Sequence, residues 1–336
     1  MHILQVVTTQ LPAVRYGGME RVVWSLAREL TKMGHRVTFL ARKGSTCDFA
    51  RVAEINPARP LAMQIPSDVD IAHFHTGRGV FSDEERAAAR VPLITTVHGN
   101  ISGPIGENAV FVSRNHAERH GARAYVYNGL DWDDYELPGP EPSGARTYFH
   151  FLAKAAWRVK NVKGAIDIVR GMPGERLRVL GGTRLNFKMG FRFTPWPLPP
   201  RLTFCGMVDQ RQKNRLMRYS RGLVFPVRWH EPFGLAMTES LWFGAPVFGT
   251  PYGSLPELII PEVGALSDSA AGLRERMAAW DSYSHRTCHE YARDLFNARL
   301  MAERYLECYE RVLTGEKLNP GVSEARNTGV RLPFFP

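Results

Sequence analysis

Two glutamates and a glycine near the middle of the second half of the chain have types and spacing that suit chemistry. Glu231 and Glu239 have seven residues between them, and Gly234 lies where a strand is predicted to turn into a helix. Carboxylates accept hydrogen bonds from hydroxyl groups, and the first amides of a helix attract phosphate. The alternative interpretation is an amphipathic helix whose glutamates are only solvated.

The predicted helix begins near Phe233, which leaves the backbone amides of Gly234 and Leu235 without partners inside the helix. Gly234 permits a close approach of a ligand to the backbone. Glu231, before the helix, is suited to accept hydrogen bonds from sugar hydroxyls, and Glu239, further along it, to accept both hydroxyls of a ribose. The two acids then lie on either side of a diphosphate.

Charge is distributed unevenly along the chain. The formal net charge is +10, yet residues 1–140 hold 15 Lys and Arg against 15 Asp and Glu. Residues 142–230 hold 18 Lys and Arg against three acids, which favours an anionic ligand there or, alternatively, a solvated basic face. Nucleic acid suits this charge, but no zinc finger, RNP-like aromatic motif or helix-turn-helix accompanies it.

Composition indicates a globular protein without membrane spans. The 336 residues are 44% hydrophobic, enough for two domains of about 150 residues each. No apolar run approaches the roughly 18 residues of a membrane span, and the N-terminus lacks signal-peptide features. The four cysteines form no CxxC pair, which favours a reducing cytosol, and the zero balance of residues 1–140 does not support peripheral membrane contact.

The elements that must position these residues alternate between short apolar runs and helix-period stretches. A helix is predicted over 20–33, where five apolar residues share one face and Gly34 ends it. This alternation predicts a first α/β domain with a parallel sheet over residues 1–140. The predicted strands of this domain are 3–7, 37–41, 71–74, 92–97, 109–112 and 124–127.

The segment 136–144 is rich in Pro and Gly and is the predicted linker. The alternation resumes after it and predicts a second Rossmann-like domain over 141–313. Two long helices are predicted to close the chain, and we expect the last, over 292–313, to pack back toward the first domain. Its apolar face holds Leu295, Ala298, Ala302, Tyr305 and Tyr309. The tail 314–336 is expected to be loose. The predicted strands of the second domain are 148–152, 177–180, 202–204, 223–226 and 245–248.

The segment from Phe225 to Ser240 resembles the Glu-seven-Glu signature of retaining glycosyltransferase family 4. Five further stretches resemble that family in the same chain order. The resemblance covers roughly residues 2–313 and implies the GT-B fold, an α/β architecture of two facing Rossmann-like domains with parallel sheets and a cleft between them. In this reading the first domain serves the acceptor and the second the donor.

In the first domain the resemblance assigns roles to three residues. Gly17 and Gly18, in the glycine-rich loop after the first strand, would face the donor phosphates or the acceptor. Thr96-Val-His-Gly99 is similar to the family's Thr-X-His-Gly element, which makes His98 a candidate catalytic residue beside the donor sugar. Asn128-Gly-Leu-Asp131 resembles the turn that ends the family's first domain, and its role is interpreted as structural.

In the second domain Lys163-Gly164 resembles the family's Lys-Gly pair, so Lys163 is a candidate catalytic cation that neutralises the diphosphate. For the cation upstream, Lys154 is preferred over Arg158. Glu231 completes the candidate catalytic set with His98 and Lys163. The donor-binding set implied by the resemblance is Gly17, Gly18, Lys154, Lys163, Gly182, Gly206, Glu231, Phe233, Gly234, Leu235 and Glu239.

Two possible metal motifs are set aside. Asp68-Val-Asp70 has the Asp-X-Asp spacing of metal-dependent glycosyltransferases of another fold, but it precedes a strand and is interpreted as turn residues. His73 and His75 share a strand face and lack an evident third ligand. No bound metal is therefore predicted. No cofactor is predicted either, because the nucleotide-sugar is a substrate.

The predicted function is retaining, metal-independent transfer of a sugar from a UDP- or GDP-sugar in the cytoplasm. The expected acceptor is a glycan, a lipid-linked molecule or a small molecule. The resemblance to family 4 implies a role in bacterial surface polysaccharide or glycolipid synthesis. The alternatives are a sugar-nucleotide epimerase or phosphorylase of the same fold and, from another class, a non-catalytic nucleic-acid-binding protein. No nucleic-acid partner is predicted.

Overall fold

The computed structural model describes residues 1–13, 17–75, 81–137, 146–183, 185–186, 192–193, 201–322, 324–325 and 331–336. Most of the predicted linker, from residue 138 to 144, lies outside the described residues. The described chain divides into two compact units. The first unit comprises Met1–Trp132 and Phe296–Thr328, and the second comprises Asp133–Leu295 and Gly329–Pro336.

The strands are short and mostly apolar. They are β1 (His2–Val7), β2 (Arg36–Ala41), β3 (Arg51–Glu54), β4 (Ile71–Phe74), β5 (Leu93–Val97), β6 (Gly103–Pro104), β7 (Ala109–Phe111), β8 (Tyr148–Leu152), β9 (Leu177–Leu180), β10 (Leu185–Asn186), β11 (Arg192–Phe193), β12 (Leu202–Gly206), β13 (Ser220–Phe225), β14 (Val247–Gly249), β15 (Gly264–Leu266) and β16 (Glu324–Ala325).

The helices follow the strands in the alternation expected of parallel sheets. They are α1 (Gly18–Lys32), α2 (Asp83–Ala87), α3 (Arg114–Arg119), α4 (Val162–Arg170), α5 (Gln210–Arg218), α6 (Leu235–Trp242), α7 (Leu255–Leu258), α8 (Ala270–Ala278), α9 (His285–Leu295) and α10 (Ala298–Leu313). Within the described residues, no helix is long and apolar enough to cross a membrane.

The first unit is built on a six-stranded sheet in the order β3-β2-β1-β4-β5-β7. Each neighbouring pair in this sheet is parallel. β1 is buried along its whole length because helices cover both faces of such a sheet. α1 buries its apolar stripe, including Val22, Leu26 and Leu30, and packs against α10, the helix expected to return to the first domain.

The second unit repeats this architecture with a six-stranded parallel sheet in the order β12-β9-β8-β13-β14-β15. β8 and β13 are neighbours at the centre, where the strand order reverses direction. The carboxyl ends of β8, β9, β12, β13 and β14 therefore lie along one edge, and in open α/β sheets this edge carries the ligands.

Two helices close this part of the chain, as predicted, but the last begins at Ala298 rather than at residue 292. α9 ends at Leu295, and α10 begins after Asn297, whose Oδ1 accepts a hydrogen bond from the Leu300 amide at 2.8 Å. An N-cap of this kind starts a new helix in the middle of a continuous apolar pattern. Leu295 is 43% exposed, whereas Tyr305 and Tyr309 of the expected face are buried.

Other elements differ from the sequence prediction more locally. Residues 124–127 form no strand, and only Tyr125 makes an isolated bridge, to Phe111. The tail expected to be loose is hydrogen-bonded where it is described. The side chain of Asn319 accepts from the amide of Ala124 and donates to Ala109, and the Phe335 amide donates to Asp268.

Candidate donor-phosphate site

The N-terminus of α6 is shaped by a left-handed glycine. Gly234 is the N-cap residue with φ 89° and ψ 63°, a conformation that an L side chain adopts only at a cost. A Cβ atom there would lie 2.8 Å from Cε of Met237. The helix that follows starts at Leu235, close to the predicted position, and its first amides have no partner inside the helix.

The loop after β14 holds the backbone of Glu231. The Ser254 amide donates to the Glu231 carbonyl at 2.9 Å, and the Ser254 hydroxyl donates to the Phe233 carbonyl at 2.8 Å. Gly253 allows this contact, since a Cβ atom on it would lie 2.2 Å from the Glu231 amide nitrogen. The segment that enters α6 is thus fixed by the neighbouring strand's loop.

The Glu231 carboxylate is buried and paired. Its Oε2 accepts hydrogen bonds from Nζ of Lys160 and from Nε1 of Trp229, both at 2.6 Å. Only 6% of the Glu231 side chain and 12% of the Lys160 side chain are exposed. The Lys160 ammonium also lies 4.8 Å from the centre of the Trp229 ring, in a cation–π contact. Lys160 is therefore the cation that contacts Glu231 directly.

Lys160 precedes α4, whereas Lys163 is exposed within its first turn. Asn161 separates them in a left-handed conformation, φ 57°, and its side chain caps α4 by accepting from the Gly164 amide at 3.2 Å. Sequence reasoning missed Lys160 because it gave weight to the Lys163-Gly164 pair. A signal was available, because asparagine is the residue other than glycine that tolerates this conformation and also favours N-caps. The role of Lys163 stays a prediction.

Glu239 lies inside α6, with 2% of its side chain exposed. Its Oε1 accepts a hydrogen bond from the Tyr135 hydroxyl at 2.8 Å and pairs with Nζ of Lys213. Lys213 belongs to α5, which begins at the Asp209 N-cap. Neither Tyr135 nor Lys213 was singled out from the sequence, since nothing in their local patterns points to a partner in α6.

The remaining predicted donor residues follow the ends of strands in the same sheet. The Gly181 and Gly182 amides, after β9, donate to the carbonyl of Gly206 at the end of β12, at 2.8 and 3.3 Å. Lys154 follows β8; it is exposed, and its ammonium lies 5.1 Å from the Trp157 ring centre. The structure thus places Lys154, Gly182, Gly206 and Glu231 at or beyond the carboxyl ends of four strands of one sheet.

These groups combine cationic and dipolar character with hydrogen-bond acceptors. Lys160 and the N-terminus of α6 carry positive charge that suits phosphate oxygens. Glu231 and Glu239 offer carboxylate oxygens that suit hydroxyl donors. Such a set can hold a phosphorylated sugar and stabilise negative charge that develops on a departing phosphate.

In the first unit, Gly17 is the N-cap of α1 and Gly18 is its first residue, after the undescribed residues 14–16. His98 directly follows β5, and its Nε2 lies 3.2 Å from Nδ1 of His75. Burial lowers the pKa of His98 to about 4, so the imidazole is neutral at pH 7. His98 is thus a hydrogen-bonding group rather than a cation.

The residues of the two possible metal motifs are engaged elsewhere. Asp70 accepts from the His2 amide at 2.6 Å, and Asp68 pairs with Arg36 at 2.7 Å. His73 bonds to Tyr309 and Thr96. Across the described part of the chain, no group of three or more His, Cys, Asp or Glu side chains is placed to hold a metal ion.

Two family models match the chain, one to each half. Residues 16–133 match the model described as Glycosyltransferase Family 4, and residues 143–287 match the model described as Glycosyl transferases group 1. Together they cover most of the sequence. No curated protein matches the chain.

Solved structures resemble the chain over nearly its whole length. AviGT4, a glycosyltransferase involved in avilamycin A biosynthesis, is 20% identical, with a TM-score of 0.75 over 93% of this chain and 98% of that one. A glycosyltransferase from Rickettsia africae is 16% identical, with a TM-score of 0.73 over 94% and 99%. Anabaena HepE in complex with UDP-glucose is 16% identical, with a TM-score of 0.69 over 92% and 99%. At these identities the similarity establishes the fold, which is GT-B.

Proposed function

We propose a specific reaction for this chain, which belongs to glycosyltransferase family 4 of the group 1 glycosyltransferases: transfer of a sugar from a nucleoside diphosphate with retention of anomeric configuration. The observation that carries the proposal is the meeting of Lys160, Glu231 and the α6 N-terminus at one edge of the second unit's sheet. HepE, of the same fold, was solved with UDP-glucose, which supports a nucleotide-sugar donor.

The donor roles follow from the chemistry of each group. The diphosphate lies at the first amides of α6, beside Lys160, and Lys163 and Lys154 are assigned as further cations for it. Glu239 accepts the hydroxyls of the ribose, and Glu231 accepts those of the transferred sugar. Gly182 and Gly206 bring backbone groups to the base.

Leaving-group stabilisation is the proposed source of catalysis. A departing nucleoside diphosphate gains negative charge in the transition state, and preorganised cations and amides stabilise it more than they stabilise the bound donor. Lys160 and α6 supply that charge without requiring a metal ion. The acceptor hydroxyl attacks from the face that the diphosphate leaves, and a leaving phosphate oxygen takes its proton.

Glu231 is assigned to binding rather than to nucleophilic attack. Its Oε2 is already engaged by Lys160 and Trp229, and its position is fixed by the Ser254 loop. A retaining glycosidase uses two carboxyl groups about 5 Å apart. Glu231 and Glu239 are instead assigned to hydroxyls of two different parts of the donor.

The acceptor is proposed to be a carbohydrate or a lipid-linked carbohydrate in the cytosol, served by the first unit. His98 contributes a neutral imidazole to the first unit's part in the reaction. The epimerase, phosphorylase and nucleic-acid alternatives lack a specific observation in their favour, whereas two glycosyltransferase models match the chain.

The donor claim is tested by thermal shift against UDP, GDP, ADP and their sugars. One nucleotide should raise the melting temperature, by mass action on the folded state. NMR of the product made from an α-linked donor should then show an α-linkage. The absence of a shift with every nucleotide would refute the donor assignment, and a β-linked product would refute retention.

A further inference from the structure

A row of buried polar side chains crosses the sheet of the first unit and ends at His98. His73 and His75, on β4, have their ring centres 3.9 Å apart. Gln5, on β1, contacts His75, and Tyr309, on α10, contacts His73. Burying polar groups costs desolvation free energy that an apolar core does not pay, even when the groups are hydrogen-bonded. A functional reason for this row is therefore expected.

The row has one branch toward His98. Nε2 of His75 lies 2.5 Å from Oε1 of Gln5, and Nδ1 of His75 lies 3.2 Å from Nε2 of His98. Burial lowers the pKa of His73 and His75 well below the ordinary value for histidine. Both rings are therefore neutral at pH 7, and each has one N–H donor and one acceptor nitrogen.

The other branch leads to α10. Nε2 of Gln5 donates to the Tyr309 hydroxyl at 3.5 Å, and that hydroxyl lies 2.7 Å from Nδ1 of His73. Nε2 of His73 lies 2.7 Å from Oγ1 of Thr96, which lies 2.7 Å from the Tyr305 hydroxyl. In the structure the amide of Gln5 thus has its nitrogen toward Tyr309 and its oxygen toward His75.

The direction of every hydrogen bond toward His98 follows from that amide. Because Oε1 of Gln5 can only accept, His75 carries its proton on Nε2 and accepts on Nδ1. His98 must then donate through its Nε2–H. A neutral His98 with its proton on Nε2 has an unprotonated Nδ1, which is a hydrogen-bond acceptor.

We propose that Gln5 and His75 are positioning residues that fix the tautomer of His98, so that His98 presents Nδ1 as an acceptor to a hydroxyl of the sugar substrate. The proposal rests on the proposed function for the identity of that hydroxyl. The tautomer itself is a property of the free protein and depends on no substrate.

The backbone beyond His98 is held independently by two further histidines. Nε2 of His116 donates to the Gly99 carbonyl at 3.2 Å, and the Ile101 amide donates to Nε2 of His120 at 3.3 Å. His120 in turn donates through Nδ1 to the His116 carbonyl at 2.7 Å. The backbone that follows His98 is therefore held at Gly99 and Ile101, and the β4 row acts on the His98 ring.

The experiment is long-range ¹H–¹⁵N NMR of the full chain labelled on histidine, which distinguishes the two neutral tautomers, with the His98 signals assigned from a His98→Asn variant. The wild-type protein should show His98 with its proton on Nε2. Gln5→Met and His75→Leu remove the relay and should give His98 as a mixture of tautomers. His75→Asn places an amide oxygen near the former Nδ1 and should restore the Nε2–H form.

Turnover of the preferred donor should follow the tautomer. In Gln5→Met and His75→Leu, kcat should fall roughly five- to tenfold, the equivalent of about one hydrogen bond, with KM for the donor changed less than twofold. His75→Asn should recover most of kcat. Tyr305→Phe, at the far end of the row, should lower the melting temperature without altering the His98 tautomer or kcat.

An Nδ1–H tautomer in the wild-type protein, or an unchanged tautomer in both relay variants, would overturn the proposal. A tautomer that shifts while kcat stays constant would overturn the role in turnover. If the wild-type protein turns over no nucleotide sugar, the proposed function fails, while the NMR measurement still decides whether Gln5 sets the tautomer.

Discussion

The ammonium of Lys160 lies 2.6 Å from Oε2 of Glu231, although 71 residues separate them in the sequence. Lys160 lies between β8 and α4, and Glu231 follows β13, the strand beside β8. The parallel sheet therefore joins the basic and acidic halves of the candidate site. This pair is the basis of the first prediction.

Lys160→Met keeps the side-chain stem against Trp229 and removes the charge. We expect kcat/KM to fall by about 10²- to 10³-fold, as when one preorganised charge-stabilising group is lost. Unfolding free energy should fall by about 1–3 kcal/mol, because Glu231 is left buried without its cation. Steady-state kinetics and urea unfolding measure the two effects.

Lys163→Met is the matched comparison, since Lys163 is exposed on the same segment. Its unfolding free energy should change by less than about 0.5 kcal/mol. A smaller loss of kcat/KM than in Lys160→Met is expected. If Lys163→Met abolishes turnover and Lys160→Met does not, Lys163 is the principal phosphate cation and the structural assignment is wrong.

Gly234→Ala should impair donor binding by distorting the start of α6. The left-handed backbone costs an L residue about 1–2 kcal/mol, and the added methyl group meets Met237. Gly174→Ala is the control, because Gly174 is also left-handed, at φ 81°, and no atom of the described residues lies within 4 Å of its Cβ position. Both variants should lose stability, but calorimetry should show weaker nucleotide binding only for Gly234→Ala.

Glu239→Gln should weaken binding of the preferred nucleoside diphosphate by about tenfold or more, because a charged acceptor for the ribose hydroxyls is lost. The variant should also lose discrimination between that nucleotide and its 2′,3′-dideoxy form. Glu290→Gln, on the exposed face of α9, makes the same chemical change away from the site. Retained discrimination in Glu239→Gln would place the ribose elsewhere.

Acid sensitivity of the fold should depend on His150. Its Nδ1 lies 2.7 Å from the Ser220 hydroxyl, and its buried Nε2 has no hydrogen-bond partner within the described chain. Burial, with a smaller effect of Arg146, lowers the pKa to about 3. The unfolded chain, with a pKa of about 6.5, therefore binds a proton that the folded chain does not bind between about pH 6 and pH 3.

The sign of the effect follows from that difference in protonation. Above about pH 6.5, His150 does not lower the free energy of unfolding. Below about pH 6, its neutral state in the fold lowers that free energy by about 1.4 kcal/mol for each pH unit. His150→Asn keeps an acceptor near Ser220 and does not titrate. Urea unfolding at pH 6.5, 5.5 and 4.5 gives the unfolding free energy as a function of pH. This free energy should fall less steeply toward acid pH for the variant than for the wild-type protein, and equal pH slopes would contradict the prediction.

The elements around α6 were predictable because their signals are local. A glycine between an apolar strand and an apolar helix marks the turn, and the structure starts the helix at Leu235. Alternating apolar runs likewise predicted both parallel sheets. The family resemblance added the order of the segments.

What could not be predicted depends on side chains that meet through the sheet. Lys213 reaches Glu239 from a different helix, and Gln5 reaches His75 from a different strand. The boundary between α9 and α10 was placed too early because the Asn297 cap interrupts a helical pattern that continues on both sides. The spacing of apolar residues predicts which face of a helix or strand is buried, but it does not predict which other elements pack against that face.

The membership of α10 in the first unit has a consequence for the order of synthesis. The hydroxyls of Tyr305 and Tyr309 complete the hydrogen bonds of Thr96 and His73, yet both tyrosines are translated after residues 133–295. A ribosome-bound nascent chain lacking α10 leaves part of the first sheet uncovered, and at about 5–20 residues per second it waits roughly ten to thirty seconds for its last helix. The sheet of the first unit, although it begins the chain, is therefore completed only after most of the second unit has been synthesised.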